Sequence, residues 1–560
     1  MSQVAERSTT VLPGVEARRR SAFGTAAASV LVVYALLACF KLGVSDLGVD
    51  EGRFGISAIN ILTDHRQIAT VSEQPLGGPG WKPYLYPLVL AASLGVAGHS
   101  ETALRFVNVA AVALSALCLY HVARAFLPPA GAMLAAAFLL LNPASIRYAR
   151  TVMPEPWVLL PGCVALLSAY RFWRRPRWLT AAITGAALGL GFLAKLWLVF
   201  PFALACAVLF LARLSERPRT PVVRGAIVGV VAFLLVASSH VALALVLAPE
   251  TAAHWARVYF VHYFTSRVSG EAYDPAMWFR PWWFYLATLF KVAAVGLPFV
   301  LLGAARVART RSLPIGGVLL CLLSPVLLFS VFRVKQASYV VGAFPAVALL
   351  FALGMVRVWN SDRRAGVQVA TAVSMLLAAS MFVVGGLGAA EAVALLVLYA
   401  MQALIVFMPL SAIQLRRGGL VTAVFLALVA GDVLVVRQLL DFRTHYREIA
   451  AYFKDRLAAS QPADRVFTAP EYPSLEFYAF RTGEYWETFY FKKDEATYLD
   501  ELTRGLRTFY IVDPSGRLYG SRMSVAKLNA LETLAVDVTS DIERVTGARL
   551  AVRAFVPRGR

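Results

Sequence analysis

Tyr84-Leu85-Tyr86-Pro87-Leu88-Val89-Leu90-Ala91-Ala92-Ser93-Leu94-Gly95-Val96-Ala97 is apolar almost from end to end, yet only 14 residues long. A helix needs about 20 apolar residues to cross a hydrocarbon core roughly 30 Å thick. Whether this stretch crosses decides the sidedness of everything after it. If it crosses, the later basic loops alternate between the two faces. If it lies in the interface or dips in and out, they all fall on one face. Those loops are Arg124 after Thr102–Ala123, Arg171, Arg174, Arg175 and Arg177 after Trp157–Tyr170, and Arg213, Arg217 and Arg219 after Leu198–Ala212. Further on come Arg306, Arg309 and Arg311 after Trp282–Ala304, Arg357, Arg363 and Arg364 after Tyr339–Val356, and Arg416 with Arg417 after Ala390–Leu410. Short loops rich in Lys and Arg stay cytoplasmic, so the stretch is expected not to cross.

The 560-residue chain is 59% hydrophobic and only 16% charged, where an ordinary soluble domain carries about a quarter charged residues. Long apolar runs recur from Phe23 to Val436. The fold class expected is therefore a polytopic α-helical membrane protein. A net charge of +21 would suggest nucleic acid in a soluble chain. Here the cations sit in short loops between apolar runs, where they set orientation, and no nucleic-acid partner is expected. Cys39, Cys118, Cys163, Cys206 and Cys321 all lie in apolar runs without metal-ligand spacing, so neither a disulfide framework nor a zinc site is implied.

Residues 1–21 are polar, end in Glu16-Ala-Arg-Arg-Arg20 and read as a cytoplasmic tail. Ala22–Phe40 is too long for a signal-peptide core and lacks a cleavage site. Crossings then begin near residues 22, 102, 129, 157, 179, 198, 222, 282, 314, 338, 366, 389 and 418. That makes 13 transmembrane helices within 22–440, with a first outer loop at 45–101 and a long outer loop at 249–281. An odd number of crossings from a cytoplasmic N-terminus puts the remainder, 441–560, outside. There His445–Leu457 has helical amphipathic spacing, and Arg465–Thr468, Arg507–Val512 and Arg549–Phe555 read as strands. A small extracytoplasmic α/β domain is expected.

In this topology one face collects the chemistry. Asp50-Glu51 opens the first outer loop and Glu155 ends Arg147-Tyr-Ala-Arg-Thr-Val-Met-Pro-Glu155. Lys82 precedes the short apolar stretch, Lys195 ends the fifth helix, Arg267 lies in the long loop, and Arg333 and Lys335 end the ninth helix. Any one of these alone reads as a solvated helix end. Lys195, Arg333 and Lys335, however, go against the inside bias. A lipid phosphate would hold them, since it offers acceptor oxygens to fixed ammonium and guanidinium donors, and a neighbouring carboxylate is suited to act as general base on a hydroxyl.

These residues resemble a known family. Val49-Asp50-Glu51-Gly52-Arg53-Phe54 resembles the first-loop motif of the C-type (GT-C fold) glycosyltransferases, in the branch of bacterial protein O-mannosyltransferases and the aminoarabinose transferase of lipid A. Lys82-Pro83-Tyr84-Leu85-Tyr86 resembles that branch's Lys-Pro-Pro-Leu segment, with Tyr84 in place of the second proline. Ala103-Leu-Arg105, Leu188-Gly-Leu-Gly-Phe-Leu-Ala-Lys195, Phe279-Arg-Pro-Trp-Trp-Phe-Tyr285 and Ser330-Val-Phe-Arg-Val-Lys335, followed by Tyr339 and Pro345, continue the series in order. The family's second acidic motif usually carries aspartate where this chain has Glu155.

The resemblance implies inverting transfer of a sugar from a polyprenyl-phosphate carrier to a hydroxyl or phosphate of an envelope acceptor: a glycolipid such as lipid A, a polysaccharide or a protein. It implies Asp50 as base, with Glu51 and Glu155 orienting acceptor or sugar; Glu51 is equally read as a structural partner to a nearby arginine. Lys82 and Arg267 are the first choices for the carrier phosphate, with Lys195, Arg333 and Lys335 next, and Tyr84 and Tyr339 are candidates for the carrier groove. His65, His254 and His262 read as proton shuttles or ordinary surface histidines. No cofactor is expected, because a single Asp-Glu pair is thin ligation for a hard divalent cation. The competing class is a transporter or flippase of a lipid-linked sugar, which needs ionisable groups near the midplane; the candidates are Asn108, His240 and Asp432.

Overall fold

The computed structural model describes residues 13–71, 83–215, 219–249, 279–310, 313–360, 364–383, 388–407, 413–441, 445–458, 525–547, 549–550 and 552–558, with isolated positions and short pieces within 257–270 and 466–512. The helices are α1 (Pro13–Cys39), α2 (Val49–Thr63), α3 (Gln67–Thr70), α4 (Leu85–Ala97), α5 (Glu101–Ala123), α6 (Pro129–Leu140), α7 (Pro143–Ala149), α8 (Pro156–Arg174), α9 (Trp178–Lys195), α10 (Phe200–Leu214), α11 (Thr220–Ala237) and α12 (Ser239–Leu247). They continue as α13 (Phe284–Ala293), α14 (Leu297–Thr310), α15 (Leu313–Leu323), α16 (Phe344–Asn360), α17 (Arg364–Val383), α18 (Ala389–Phe407) and α19 (Ile413–Asp441). Among the described residues, eight helical stretches are long and apolar enough to cross a membrane, or nine with the bent α6–α7 pair. This is a multi-pass membrane protein. A helix stands at or close to each of the thirteen expected starting points. The length count is lower because Gly24–Cys39 and Ala389–Ile405 are shorter, α8 is not among the spans, and α9 and α10 form one continuous apolar stretch.

Local chemistry explains the breaks. Between α6 and α7 the axis bends by 58°, where Asn142 accepts from Ala144 N (3.0 Å) as N-cap and Pro143 takes the first helical position, which suits its missing N–H. The first helix starts at Pro13 rather than near residue 22, because Glu16, Ala17 and the three arginines are good helix formers. Where helices press together, small residues face backbone: a Cβ on Gly185 would lie 1.8 Å from the Gly229 carbonyl oxygen, joining α9 to α11. Gly303 and Gly354 do the same reciprocally for α14 and α16, against Leu350 O and Phe299 O. Lipid tails are as apolar as leucine, so close backbone approach is what favours protein over lipid contact here.

The short stretch that governs the topology forms α4, a 13-residue helix spanning only about 20 Å at 1.5 Å per residue. It packs with α2 and the start of α5 in a second hydrophobic core, through Phe54, Ile59, Tyr86, Leu90 and Leu104. The C-terminal region shares that core. Tyr446, Ile449 and Phe453 of α20 (Tyr446–Ala458) belong to it, as do Phe477, Tyr478, Ile542 and Ala554. Strands overlap all three stretches expected, and those starting at residues 487 and 535 are additional: β1 (Val466–Phe467) pairs in parallel with β2 (Glu487–Thr488). β3 (Tyr510–Val512) and β4 (Ala535–Asp537) flank β5 (Arg553–Pro557) antiparallel, with Tyr510 opposite Phe555 and Val536 opposite Val556. Helices α21 (Val525–Leu534) and α22 (Thr539–Thr546) complete this α/β region.

Candidate active site

Arg105 lies one helical turn inside α5 and is 2% exposed. Its guanidinium makes six contacts: Nε to Glu51 Oε1 (3.1 Å), Nη2 to Glu51 Oε2 (3.2 Å) and to Asp46 O (2.9 Å), and Nη1 to Leu42 O, Ser45 O and Ser45 Oγ (2.9–3.0 Å). A single planar fork thus gathers residues 42–51 at the start of the first loop, a geometry that lysine cannot reproduce. Glu51 takes two further donors, Gly48 N on Oε2 (2.7 Å) and Val152 N on Oε1 (2.7 Å). Four donors fill the acceptor capacity of a carboxylate. Glu51 is buried and joins α2, α5 and the turn before α8.

Asp50 is one residue earlier, so it points about 100° around the helix, and its side chain is half exposed. It lies in the first turn of α2, at the positive end of the helix dipole, with Arg53 Nη1 at 3.8 Å. The adjacent acids therefore have opposite environments. One is locked inside and the other faces out.

Glu155 stands at the N-cap of α8, ahead of Pro156, and is completely buried. Lys195, the last residue of α9, reaches it with Nζ 2.5 Å from Oε1, while Oε2 has no hydrogen-bond partner among the described residues. The Lys195 ammonium also sits 5.9 Å above the Tyr339 ring, within cation–π range. Tyr339 stacks on Tyr285 (6.3 Å) and meets Phe329 edge-on (5.1 Å). Lys335 is buried and donates to the Phe332 carbonyl; burial pushes its ammonium below the usual range. Arg333, two residues away, is exposed. Tyr84 faces α12, with its hydroxyl 3.0 Å from Ser239 Oγ, its N–H donating to His240 Nδ1 (3.2 Å) and its ring stacked on that imidazole. His65 lies against the Ile61 carbonyl. Lys82, Arg267, His254 and His262 fall outside the described residues.

Sequence reasoning assigned no role to Arg105 and named Asn108 only as a midplane candidate for the transporter class. Asn108 Nδ2 donates to Thr151 O (2.6 Å), Met153 O (2.8 Å) and Tyr86 Oη (3.1 Å), and so braces the turn that carries Glu155. The available signal was an arginine and an asparagine three apart on one face of an otherwise apolar helix. Among the described residues, no three His, Cys, Asp or Glu side chains converge as metal ligands would.

Residues 81–243 match the family described as dolichyl-phosphate-mannose-protein mannosyltransferase. Curated relatives include the undecaprenyl phosphate-alpha-4-amino-4-deoxy-L-arabinose arabinosyl transferase of Pseudomonas aeruginosa, 30% identical over 319 residues, covering 53% of this chain and 56% of the relative. The protein of the same name from Pectobacterium carotovorum is 30% identical over 265 residues, 46% of each. The chain spans about half the length of the curated relatives it matches. In structure, ArnT from Cupriavidus metallidurans in the apo state aligns at TM-score 0.65 and 18% identity over 97% of this chain and 98% of ArnT. ArnT bound to undecaprenyl phosphate aligns at 0.63 and 18% identity, over 94% and 96%. Archaeal oligosaccharyltransferase AglB from Archaeoglobus fulgidus aligns at 0.54 and 13% identity, over 89% and 70%. The chain has the GT-C fold.

Proposed function

We propose that the protein is an inverting glycosyltransferase that moves a sugar from a polyprenyl-phosphate carrier to a hydroxyl of an envelope acceptor. In this reading the site lies on the outer face of the cytoplasmic membrane, with the N-terminus inside and the region from residue 441 outside. The observation that carries it is the pairing of an exposed Asp50 with a locked Glu51, in a fold shared over 94% of the chain with a protein solved bound to undecaprenyl phosphate. The names of the curated relatives support the same class of donor.

The chemistry follows from the placement. Asp50 accepts the proton of the acceptor hydroxyl as its oxygen attacks the anomeric carbon. The bond from that carbon to the carrier phosphate breaks on the opposite face, and the phosphate leaves with the electron pair. Attack from the far side inverts the centre, by the geometry of inverting hydrolysis. Fixed cations steady the departing charge: Lys82 and Arg267 are assigned the phosphate, with Lys195, Arg333 and Lys335 behind them. Glu155 acts through Lys195, since it is itself buried. Tyr339 and Tyr84 are assigned to the carrier groove. No metal or cofactor is invoked.

The test uses purified protein in detergent with undecaprenyl-phosphate-linked hexoses and pentoses and a panel of glycolipid, polysaccharide and protein acceptors. Free undecaprenyl phosphate is followed by mass spectrometry. The expected result is acceptor-dependent release that falls by about 10²–10⁴ in Asp50→Asn with donor binding retained. A donor that binds but is never cleaved with any acceptor overturns the enzyme and favours the transporter.

A further inference from the structure

The C-terminal region grips the loop that presents Asp50. Ser474 Oγ donates to Gly48 O (3.0 Å), and that same carbonyl accepts the first intrahelical bond of α2, from Gly52 N (2.8 Å). Leu47 N donates to Tyr478 Oη (3.2 Å) and His445 N to Asp46 Oδ2 (2.6 Å). Arg447 Nη2 donates to Gly43 O (3.1 Å) and to Glu101 Oε1 (2.5 Å). The Phe477 ring fills the space beside Gly55, where a Cβ would come within 2.6 Å of it. Ser474 is fully buried and Tyr478 is 2% exposed. Arg105 holds Leu42, Ser45, Asp46 and Glu51 from within the membrane domain. The loop is thus fixed on two sides, by α5 and by the tail, and the tail's bonds fall on the residues immediately ahead of α2.

We propose that Tyr478 and Ser474 are positioning residues for Asp50: by fixing the Leu47 and Gly48 backbone they aim the first turn of α2 at the reacting atoms. The inference rests on the reading of Asp50 as base. A general base works only within hydrogen-bond reach of its proton, and a misplacement near 1 Å costs on the order of 10²-fold. Neither residue belongs to the membrane domain, so sugar transfer depends on a domain that contributes no reacting group.

Full-length wild type, Tyr478→Phe, Ser474→Ala and the double variant are compared in lipid nanodiscs with an undecaprenyl-phosphate-linked sugar that wild type cleaves. Both substitutions remove only an oxygen and keep the packing. The double variant is expected to lose at least tenfold in kcat with donor KM unchanged, assayed below a thermal midpoint that falls because the Leu47 N–H is left unpaired in the interior. Amide exchange at Asp50–Phe54, measured without donor, is expected to quicken. A double variant with wild-type kcat overturns the positioning role alone. A fall of donor affinity in step with kcat also overturns it, marking the contacts as merely structural. Wild type that cleaves no donor overturns the reading of Asp50, and the positioning role falls with it.

Discussion

Arg105 and Glu51 meet fork to fork, Nε to Oε1 at 3.1 Å and Nη2 to Oε2 at 3.2 Å, in a buried pair between the first loop and α5. Removing one partner leaves an uncompensated buried charge, which costs about 3–5 kcal/mol. Glu51→Ala and Arg105→Met are therefore expected to lower stability by about that amount, whereas Asp50→Asn, half exposed, stays within about 0.5 kcal/mol of wild type. Thermal unfolding of the purified variants measures both. A Glu51→Gln protein that melts like wild type yet transfers no sugar would make Glu51 a reacting group instead.

Lys195 and Glu155 give a second pair with a different signature. Glu155 is completely buried and Lys195 is the cation that reaches it, at 2.5 Å. In a double-mutant cycle, Lys195→Met with Glu155→Gln is expected to be less destabilised than Lys195→Met alone, with a coupling of about 2 kcal/mol. Additive effects would show that the two groups do not depend on each other.

Asp432 in α19 is fully buried, and neither carboxyl oxygen has a hydrogen-bond partner among the described residues. An unpartnered polar group in the interior costs roughly 1–3 kcal/mol. Asp432→Leu is accordingly expected to raise the thermal midpoint while leaving sugar transfer intact. If the variant is instead inactive, with donor still bound, the residue belongs to a passage through the membrane.

In the tail, Asp537 supplies the pH dependence. Burial raises its pKa, but Thr539, through its N–H and hydroxyl, and the Arg553 guanidinium outweigh that, and the carboxyl titrates below its ordinary 3.8. A folded-state pKa below the unfolded one gives stability that is present above the unfolded value and lost as pH falls through the folded one. An acid titration of tail unfolding is expected to show a steepening below about pH 4 that Asp537→Asn removes. Identical acid limbs in the two proteins would show that the pair contributes nothing to folding.

The membrane domain was legible because apolar length and loop charge are properties of contiguous sequence. They gave most of the helix starts, though neither the early start of α1 at Pro13 nor α2, and the length of Tyr84–Ala97 foretold a short helix. The tail's strands were legible for the same reason, in Arg507–Val512 and Arg549–Phe555. What joins Glu51 to Arg105, or Gly48 to Ser474, is separated by 54 and 426 residues and leaves no local period. Glu155 and Lys195 were both picked out as charges near helix ends. That one would be buried under the other follows only from how α8 packs on α9.

The helical stretch Thr220–Leu247 is only 11% buried over its apolar window. It leans on α9 at the Gly185–Gly229 contact, and most of the rest is left uncovered by the chain. Just past the junction of α11 and α12, Ser239 and His240 hold Tyr84 at the head of α4. A helix whose main neighbour is lipid adjusts its tilt to the hydrocarbon thickness, at fractions of a kcal/mol per Å of mismatch. Such a tilt is expected to carry Ser239 and His240, and Tyr84 with them. A change in hydrocarbon thickness then reaches the head of α4, transmitted through two hydrogen bonds and a stacked ring.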